Sequence, residues 1–452
     1  MSNPTPDPGV RVPPAMWSED PMDLATDTES RDNTAADKMS ELSPYNTDGM
    51  IDYNAQQSPS KKGGSDTSNS NAVDRLQDVK NYFIHAGLRF RKPIAIGNHG
   101  GTVLFDKFNH DDDGREILAK SLVVKYALDT EDDASTHNDE DLENEMEWLQ
   151  KMHHAEHIIQ TEPDYWNLWD KDKKDGTGSV GHVLKKPVIV MEYMEHGTIQ
   201  GLIDRFSKEG IRIPDRMLWY FALCLVRACI AMGYRDQFAG AETTTRERVP
   251  KPAEKGGSLP PPSGLAQLSM KGANVLIADL IPNDAEHQLV PLIKLIDFGR
   301  GIVYDYKSGD PIVEGLERYK EYIGVLFNLD GVGYLGAAEF NVKPSKWTTE
   351  ENAVFYRVKE FQTGADPTIL EDQSIDRQLR DTIAMFRSYS ASALPTLNDA
   401  LGLCMTGIRN INKSTNPIDS TESIRQLVQR LVFNADLGGA AFEYNFTDSS
   451  RV

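Results

Sequence analysis

An apolar segment that ends in an acidic turn is the feature that most constrains the fold of this chain. Residues 292–296 are hydrophobic apart from one lysine, and they lead directly into Asp297-Phe298-Gly299. Because aspartate and glycine are common turn formers, this tripeptide alone predicts only a turn at the end of a strand. Its place in the chain adds the constraint, since five other segments with distinctive residues precede it in order.

Each of the five segments combines a backbone pattern with glycines or polar side chains. From the N-terminal side they are a glycine-rich turn from Gly97 to Val103, a strand with Lys125, a helix with Glu145, a strand that runs into Met191-Glu192-Tyr193-Met194, and Lys271-Gly272-Ala273-Asn274 before an apolar strand. Glu145 lies on the apolar stripe of its helix, three residues after Leu142 and four before Leu149. Since a carboxylate on a buried stripe is costly without a partner, this spacing predicts that Glu145 is paired.

The order of these segments resembles that of a protein kinase catalytic domain, most closely the divergent kinase-like proteins of filamentous fungi, over residues 85–435. The resemblance implies an α+β, two-lobed protein kinase-like fold. A helix at 73–88 would lead into a small β-rich N-lobe with one regulatory helix at 89–194. A larger helical C-lobe would follow at 195–435, and a C-terminal tail at 436–452.

The resemblance also implies a role for each polar residue, with ATP and Mg²⁺ as the ligands. The phosphates would be covered by Gly97, Gly100, Gly101 and Val103. Lys125 would hold the α- and β-phosphates and would pair with Glu145. The adenine would be bordered by Met191, Glu192 and Met194, and Mg²⁺ would be bound by Asn274 and Asp297. The glycine turn departs from the family pattern, because His99 stands at its third position and the turn is one residue short.

The catalytic loop departs further from the family pattern. With Lys271 and Asn274 aligned to the family motif, Ser269 stands at the position of the catalytic aspartate. A hydroxyl without an adjacent base cannot accept the substrate proton, and the loss is about 10²–10⁴ in rate, or roughly 3–5 kcal/mol. Tyr234-Arg235-Asp236 offers an alternative motif, but it would place a low-complexity insertion inside the loop.

The segment that presents protein substrate also differs from the family. No Ala-Pro-Glu occurs between Asp297 and Asn328, and Leu394-Pro395 replaces the Arg-Pro that normally pairs with its glutamate. The predicted function is therefore an ATP-binding pseudokinase that acts as a nucleotide-sensing or interaction module. The alternative is a weakly active serine/threonine protein kinase. A small-molecule phosphotransferase of kinase-like fold is a third class, and Ser269 counts against it equally.

Composition predicts two segments without stable structure. Residues 1–72 and 240–264 are rich in small and polar residues, so we expect a disordered acidic tail and a surface loop insertion. The histidines near residue 155 lack zinc-type spacing, and three cysteines, Cys224, Cys229 and Cys404, are expected to pack in the core.

Charge and hydropathy limit the expected partners. The formal net charge is −21, which argues against nucleic acid and anionic membranes. The most apolar run, 217–232, contains Arg227 and is predicted to be a buried helix. We expect an intracellular protein, cytoplasmic or nuclear, with an unidentified protein partner or substrate.

Overall fold

The structure is a computed structural model that describes residues 67–96, 100–128, 134–166, 168, 184, 186–252, 260–303, 328–333, 354–356, 361–388 and 393–435. Within these residues the protein is a mixed α and β fold with a four-stranded antiparallel sheet, consistent with the predicted α+β class. Most of the predicted N-terminal tail, Gly97 and the C-terminal tail 436–452 lie outside the described residues.

The four strands of the main sheet lie in chain order and are joined by antiparallel pairing. They are β1 (Arg89–Ile96), β2 (Gly100–His110), β3 (Glu116–Ala127) and β4 (Val188–Glu192). The other described strands form two-stranded antiparallel ribbons. These are β5 (Leu265–Ala266) with β8 (Ile302–Val303), β6 (Val275–Ile277) with β7 (Ile293–Leu295), and β9 (Val354–Tyr356) with β10 (Phe361–Thr363).

Helices pack around the sheet and fill the C-terminal half of the described chain. They are α1 (Thr67–His85), α2 (Ala134–Lys151), α3 (Ile199–Glu209), α4 (Asp215–Gly233), α5 (Pro367–Glu371), α6 (Arg377–Phe386), α7 (Leu397–Ile411) and α8 (Thr421–Val428). A helical segment at 328–333 and a π-helical turn at Gln429–Phe433 complete them.

The boundary predicted for the leading helix is wrong. Helix α1 begins at Thr67, whereas the sequence predicted a start at residue 73 and disorder before it. Val79 and Phe83 are fully buried and anchor α1 on the sheet. Once a helix is anchored, each further residue adds one hydrogen bond, so it extends into a polar segment that would not nucleate a helix alone.

The main sheet is covered by hydrophobic residues on both faces. Val124 and Tyr126 of β3 belong to the same buried cluster as Val79 of α1. Because side chains alternate along a strand, Lys125 points to the opposite face. That face packs against α2, whose Leu149 belongs to the larger cluster built mainly from the C-terminal helices. The strand thus directs a lysine toward a helix with a buried carboxylate.

Helix α4 forms the centre of the larger cluster. It is long and apolar enough to cross a membrane by length and composition, but 89% of its most apolar window is buried inside the protein. The predicted buried helix at 217–232 is therefore confirmed. The cysteines Cys224, Cys229 and Cys404 are buried and free, as expected.

The segment 240–264 was predicted to be a surface loop, and its described residues, 240–252 and 260–264, are irregular and mostly exposed, but two contacts tie the first part to the core. Thr245 bridges Ala155 in parallel orientation, with its N–H and C=O both bonded to the loop that follows α2. The side chain of Glu247 is fully buried. Composition did not predict these two contacts, because their partners come from distant parts of the chain.

Candidate functional site

Three charged side chains from separate elements meet at the α2 face of the sheet. Nζ of Lys125, on β3, lies 2.5 Å from Oε2 of Glu145, on α2. The same Nζ lies 3.2 Å from Oδ1 of Asp297, which follows β7. Glu145 is 1% exposed, so its carboxylate depends on this contact for its charge. The predicted pairing of Lys125 with Glu145 is confirmed.

The three charges fix one another's ionisation. Burial alone would lower the pKa of the Lys125 ammonium, but Glu145 and Asp297 outweigh it and raise that pKa. Burial likewise opposes ionisation of Asp297, but Lys125, Lys271 and the hydrogen bond from Asn274 hold the pKa of this carboxyl below its usual value. The site therefore contains an ammonium and an ionised aspartate in contact at neutral pH.

The backbone holds Asp297 in an uncommon conformation. Its φ of 67° lies in the left-handed region, which aspartate tolerates better than most residues. The side-chain amide of Gln267 donates to the carbonyl of Asp297 at 2.8 Å and to that of Ile296 at 3.2 Å. The N–H of Ile296 donates to the carbonyl of Asn274 at 2.9 Å. These bonds hold the turn so that the carboxylate of Asp297 faces Lys125.

Asn274 joins the acidic turn to the loop that contains Ser269. Its Nδ2 donates to Oδ2 of Asp297 at 2.8 Å, to the carbonyl of Ser269 at 2.8 Å and to Oγ of Ser269 at 2.9 Å. The structure thus brings Ser269, Asn274 and Asp297 together, as the sequence predicted. In the described part of the chain, neither a carboxylate nor an imidazole is within hydrogen-bond distance of Oγ, so this hydroxyl has no base to take its proton.

A further contact ties α2 to the acidic turn, and the sequence reasoning missed it. Nδ2 of Asn144 donates to the carbonyl of Gly299 at 2.7 Å and to that of Gly301 at 2.8 Å. Asparagine is a poor residue for a helix interior, and this could have signalled a tertiary hydrogen bond. Asn144 and Glu145 are adjacent in α2, so one helix binds the acidic turn through Asn144 and Lys125 through Glu145.

Asn328 positions the loop that contains Gln267 and Ser269. Its Oδ1 accepts from the N–H of Gln267 at 3.0 Å, and its Nδ2 donates to the carbonyl of Leu265 at 2.8 Å. Asn328 is 3% exposed, so both bonds are shielded from water. Nothing in the local sequence indicated that Gln267 links Asn328 to the acidic turn.

The glycines of the predicted phosphate turn have a packing role. A Cβ at Gly101 would lie 2.4 Å from Oη of Tyr126, and one at Gly100 would lie 2.5 Å from the Tyr126 carbonyl oxygen. Glycine is therefore required at both positions by the close approach of β3. Val103, which belongs to β2, is fully buried. Gly97 lies outside the described residues.

The residues predicted to border an adenine lie at the end of β4. Met191 is buried, and Met194 is half-buried against the larger cluster. The N–H of Glu192 donates to the carbonyl of Gln160 at 3.0 Å, so this N–H is not available to a ligand. Its carboxylate contacts Lys294 at 2.5 Å.

The alternative motif at Tyr234-Arg235-Asp236 lies elsewhere. It forms a short 3₁₀ turn after α4, and Asp236 lines a cleft with Lys151 and Trp166. Ser269 is the residue that the structure brings next to Asn274.

The site thus combines a lysine that has two carboxylate partners, an ionised aspartate on a tight turn, and an asparagine that supports it. No protein-family model matches this chain, and no curated protein is similar to it.

Proposed function

We propose that this protein is a kinase-like ATP-binding protein that has lost its general base, a pseudokinase that senses nucleotide or presents an interaction surface. The single observation that carries the proposal is the double contact of Lys125 with Glu145 and Asp297. The three residues come from three segments that follow one another in the order found in protein kinases, where such an arrangement binds nucleotide. The proposed architecture has two lobes, 89–194 and 195–435.

The chemistry of the site fits a magnesium nucleotide. Mg²⁺ prefers carboxylate and amide oxygens. Asp297 supplies a carboxylate, and the described side-chain hydrogen bonds of Asn274 all use Nδ2, which leaves its Oδ1 for a cation. The metal would neutralise phosphate charge, and the Lys125 ammonium would bind phosphate oxygens while Glu145 holds it in place.

The environment of Ser269 supports a pseudokinase over an active enzyme. Its neighbours are an amide and backbone groups, which cannot accept a proton at neutral pH. Phosphoryl transfer depends mainly on positioning and charge neutralisation, and Lys125, Asn274 and Asp297 retain those functions. A weakly active serine/threonine kinase is therefore the second candidate. The net charge of −21 supports a protein partner over nucleic acid or membrane.

Metal-dependent thermal stabilisation by ATP tests the proposal. At an ATP concentration of 100 times Kd, linkage adds about 2.7 kcal/mol to the free energy of unfolding. The melting temperature of the wild type should rise with Mg²⁺ and ATP together and much less with either alone. Asp297→Ala should abolish the rise. Asp279→Ala is the matched control, because Asp279 lies between β6 and β7 with a side chain that is 84% exposed. An unchanged melting temperature for the wild type at millimolar Mg-ATP would refute ATP binding.

Phosphate transfer separates the two candidates. We expect the wild type to label generic protein substrates with radioactive phosphate no faster than Asp297→Ala does. Steady turnover that Asp297→Ala abolishes would establish the weakly active kinase. Ser269→Asp should raise turnover only slightly, because the predicted loss of the substrate-presenting segment remains.

A further inference from the structure

A second polar cluster lies beneath the strand that leads to Asp297, among side chains that the proposed function does not use. His157 follows α2, Cys224 lies in the middle of α4, and His287 lies between β6 and β7. A nitrogen of each histidine and Sγ of Cys224 lie within 4.8 Å of one another. Both histidines are fully buried and Cys224 is 1% exposed, so the cluster is shielded from solvent.

The two histidines have polar atoms with few protein partners. Apart from the Cys224 thiol, which interacts with both rings, Nε2 of His157 and both ring nitrogens of His287 have no hydrogen-bond partner among the described residues. Leaving a buried polar atom unpaired costs about 1–3 kcal/mol. A thiol has one hydrogen and cannot satisfy all three nitrogens, so this buried cluster keeps donor atoms for a ligand.

A carboxylate orients one of the histidines. Nδ1 of His157 lies 2.6 Å from Oε2 of Glu247, and the His157 N–H donates to Oε1 of Glu247 at 2.8 Å. Because Nδ1 is engaged, the lone pair of a neutral His157 is on Nε2, which is the unpaired atom. A histidine with a carboxylate on its second nitrogen is the usual arrangement at protein zinc sites.

Nearby carboxylates have other partners. Glu156 and Asp284 also come within 4.8 Å of His287. Arg246 binds Glu156 at 2.7 Å and also contacts Asp284, so neither is free to act as a ligand. The donors that remain are two imidazole nitrogens and one sulfur, a set that suits Zn²⁺ and does not suit Mg²⁺ or Ca²⁺.

We propose that His157, Cys224 and His287 bind a Zn²⁺ ion, with a water molecule as the fourth ligand. The ion fastens three segments that are distant in sequence: the loop after α2, the core helix α4 and the loop between β6 and β7. Glu247 brings in a fourth segment, the part of the chain that composition predicted to be a flexible loop. Because the buried ligands come from separate segments of the core, the ion would stabilise the packing of these segments.

Metal analysis of the purified full-length chain tests this site independently of ATP binding. Inductively coupled plasma mass spectrometry should find about one zinc ion per wild-type chain, as three protein ligands and a water complete one tetrahedral site. Cys224→Ala should lower the zinc content at least tenfold. Cys229→Ala is the matched control, because Cys229 lies in the same helix and is equally buried at 1% exposure, and it should keep the ion.

Two further measurements cover the case in which Cys224→Ala does not fold. Chelation of the wild type should lower its melting temperature, and added Zn²⁺ should restore it. Replacement of zinc by Co²⁺ should give a sulfur-to-metal charge-transfer band in the near ultraviolet, and His287→Gln should weaken or shift this band. A wild type that contains no zinc and takes up no Co²⁺ would overturn the proposal, as would equal zinc content in the wild type and Cys224→Ala.

Discussion

Replacing Lys125 with methionine should destabilise this protein more than replacing Glu145 with glutamine. The two side chains form one ion pair, but their surroundings differ. Glu145 is 1% exposed, and Lys125 is its cationic partner. Lys125 has a second carboxylate, Asp297, at 3.2 Å. Removing the lysine therefore strands a buried charge, whereas removing the charge of Glu145 leaves the lysine partly neutralised.

The structure sets the expected magnitudes. Lys125→Met should cost about 3–5 kcal/mol, the usual penalty for removing one partner of a buried pair. Glu145→Gln should cost about 1–3 kcal/mol, because the amide still accepts a hydrogen bond from Lys125. The double variant Lys125→Met/Glu145→Leu should recover most of the loss, since a buried pair replaced by apolar residues of similar size is often neutral in stability.

The penalty of Lys125→Met should also depend on pH. Burial raises the pKa of the Glu145 carboxyl, and the ammonium of Lys125 opposes this effect. Without the lysine, only the hydrogen bond from the Asp297 backbone opposes the raising effect of burial on the Glu145 pKa, so the variant is most stable when this carboxyl is protonated. Stability is then lost as pH rises through the raised pKa. The variant should fall further below the wild type at pH 8 than at pH 5.

Urea unfolding followed by tryptophan fluorescence measures these differences. With an m value of about 2–3 kcal/mol per molar, a loss of 4 kcal/mol moves the midpoint by roughly 1.5 M. The double-mutant cycle that isolates the coupling between the side chains uses Glu145→Leu as the single Glu145 variant, so that it carries the same substitution as the double variant. Equal losses in the two single variants, or a coupling below about 0.5 kcal/mol, would refute the argument.

Three other outcomes follow from contacts near the site and the core. Asn144→Ala should cost about 1–3 kcal/mol in urea unfolding, because two carbonyls of the acidic turn lose their donor; an unchanged midpoint would show that the turn does not need α2. Gly101→Ala should cost about 1–3 kcal/mol by overpacking against Tyr126, and a melting temperature equal to the wild type would contradict this contact. Burial raises the pKa of Asp215 to about 6, against the opposing effect of Arg212. Its contribution to stability is therefore lost as pH rises from about 4 to 6, and Asp215→Asn should gain on the wild type by at most about 3 kcal/mol over that range. A constant difference between the two proteins from pH 4 to 7 would refute that pKa.

Local patterns were enough to predict the core of the candidate site. The apolar stripe around Glu145 required a partner, and the resemblance to protein kinases implied that this partner is Lys125. The loop with Ser269 and Asn274 lies beside Asp297 as the order of segments predicted. The need for a partner at Glu145 follows from a spacing within one helix, whereas the other placements follow from the order of segments along the chain.

The remaining features depend on contacts between distant segments, which no local period records. His157, Cys224 and His287 share no short motif, and the sequence reasoning found no metal site near residue 155. Glu247 lies in a segment whose composition predicts a loop, yet its side chain is buried in contact with His157. The start of α1 was also missed, because polar residues extend a helix that later residues anchor.

The contact between Lys125 and Asp297 has a thermodynamic consequence for ligands of either sign. A cation that approaches Asp297 meets the Lys125 ammonium, which already lies 3.2 Å from the carboxylate and repels it. An anion that draws Lys125 away removes this repulsion and exposes the carboxylate. Binding of the cation and of the anion is therefore positively linked, and each must strengthen the other's affinity by the same factor. The ion pair therefore favours simultaneous binding of a cation and an anion over binding of either one alone.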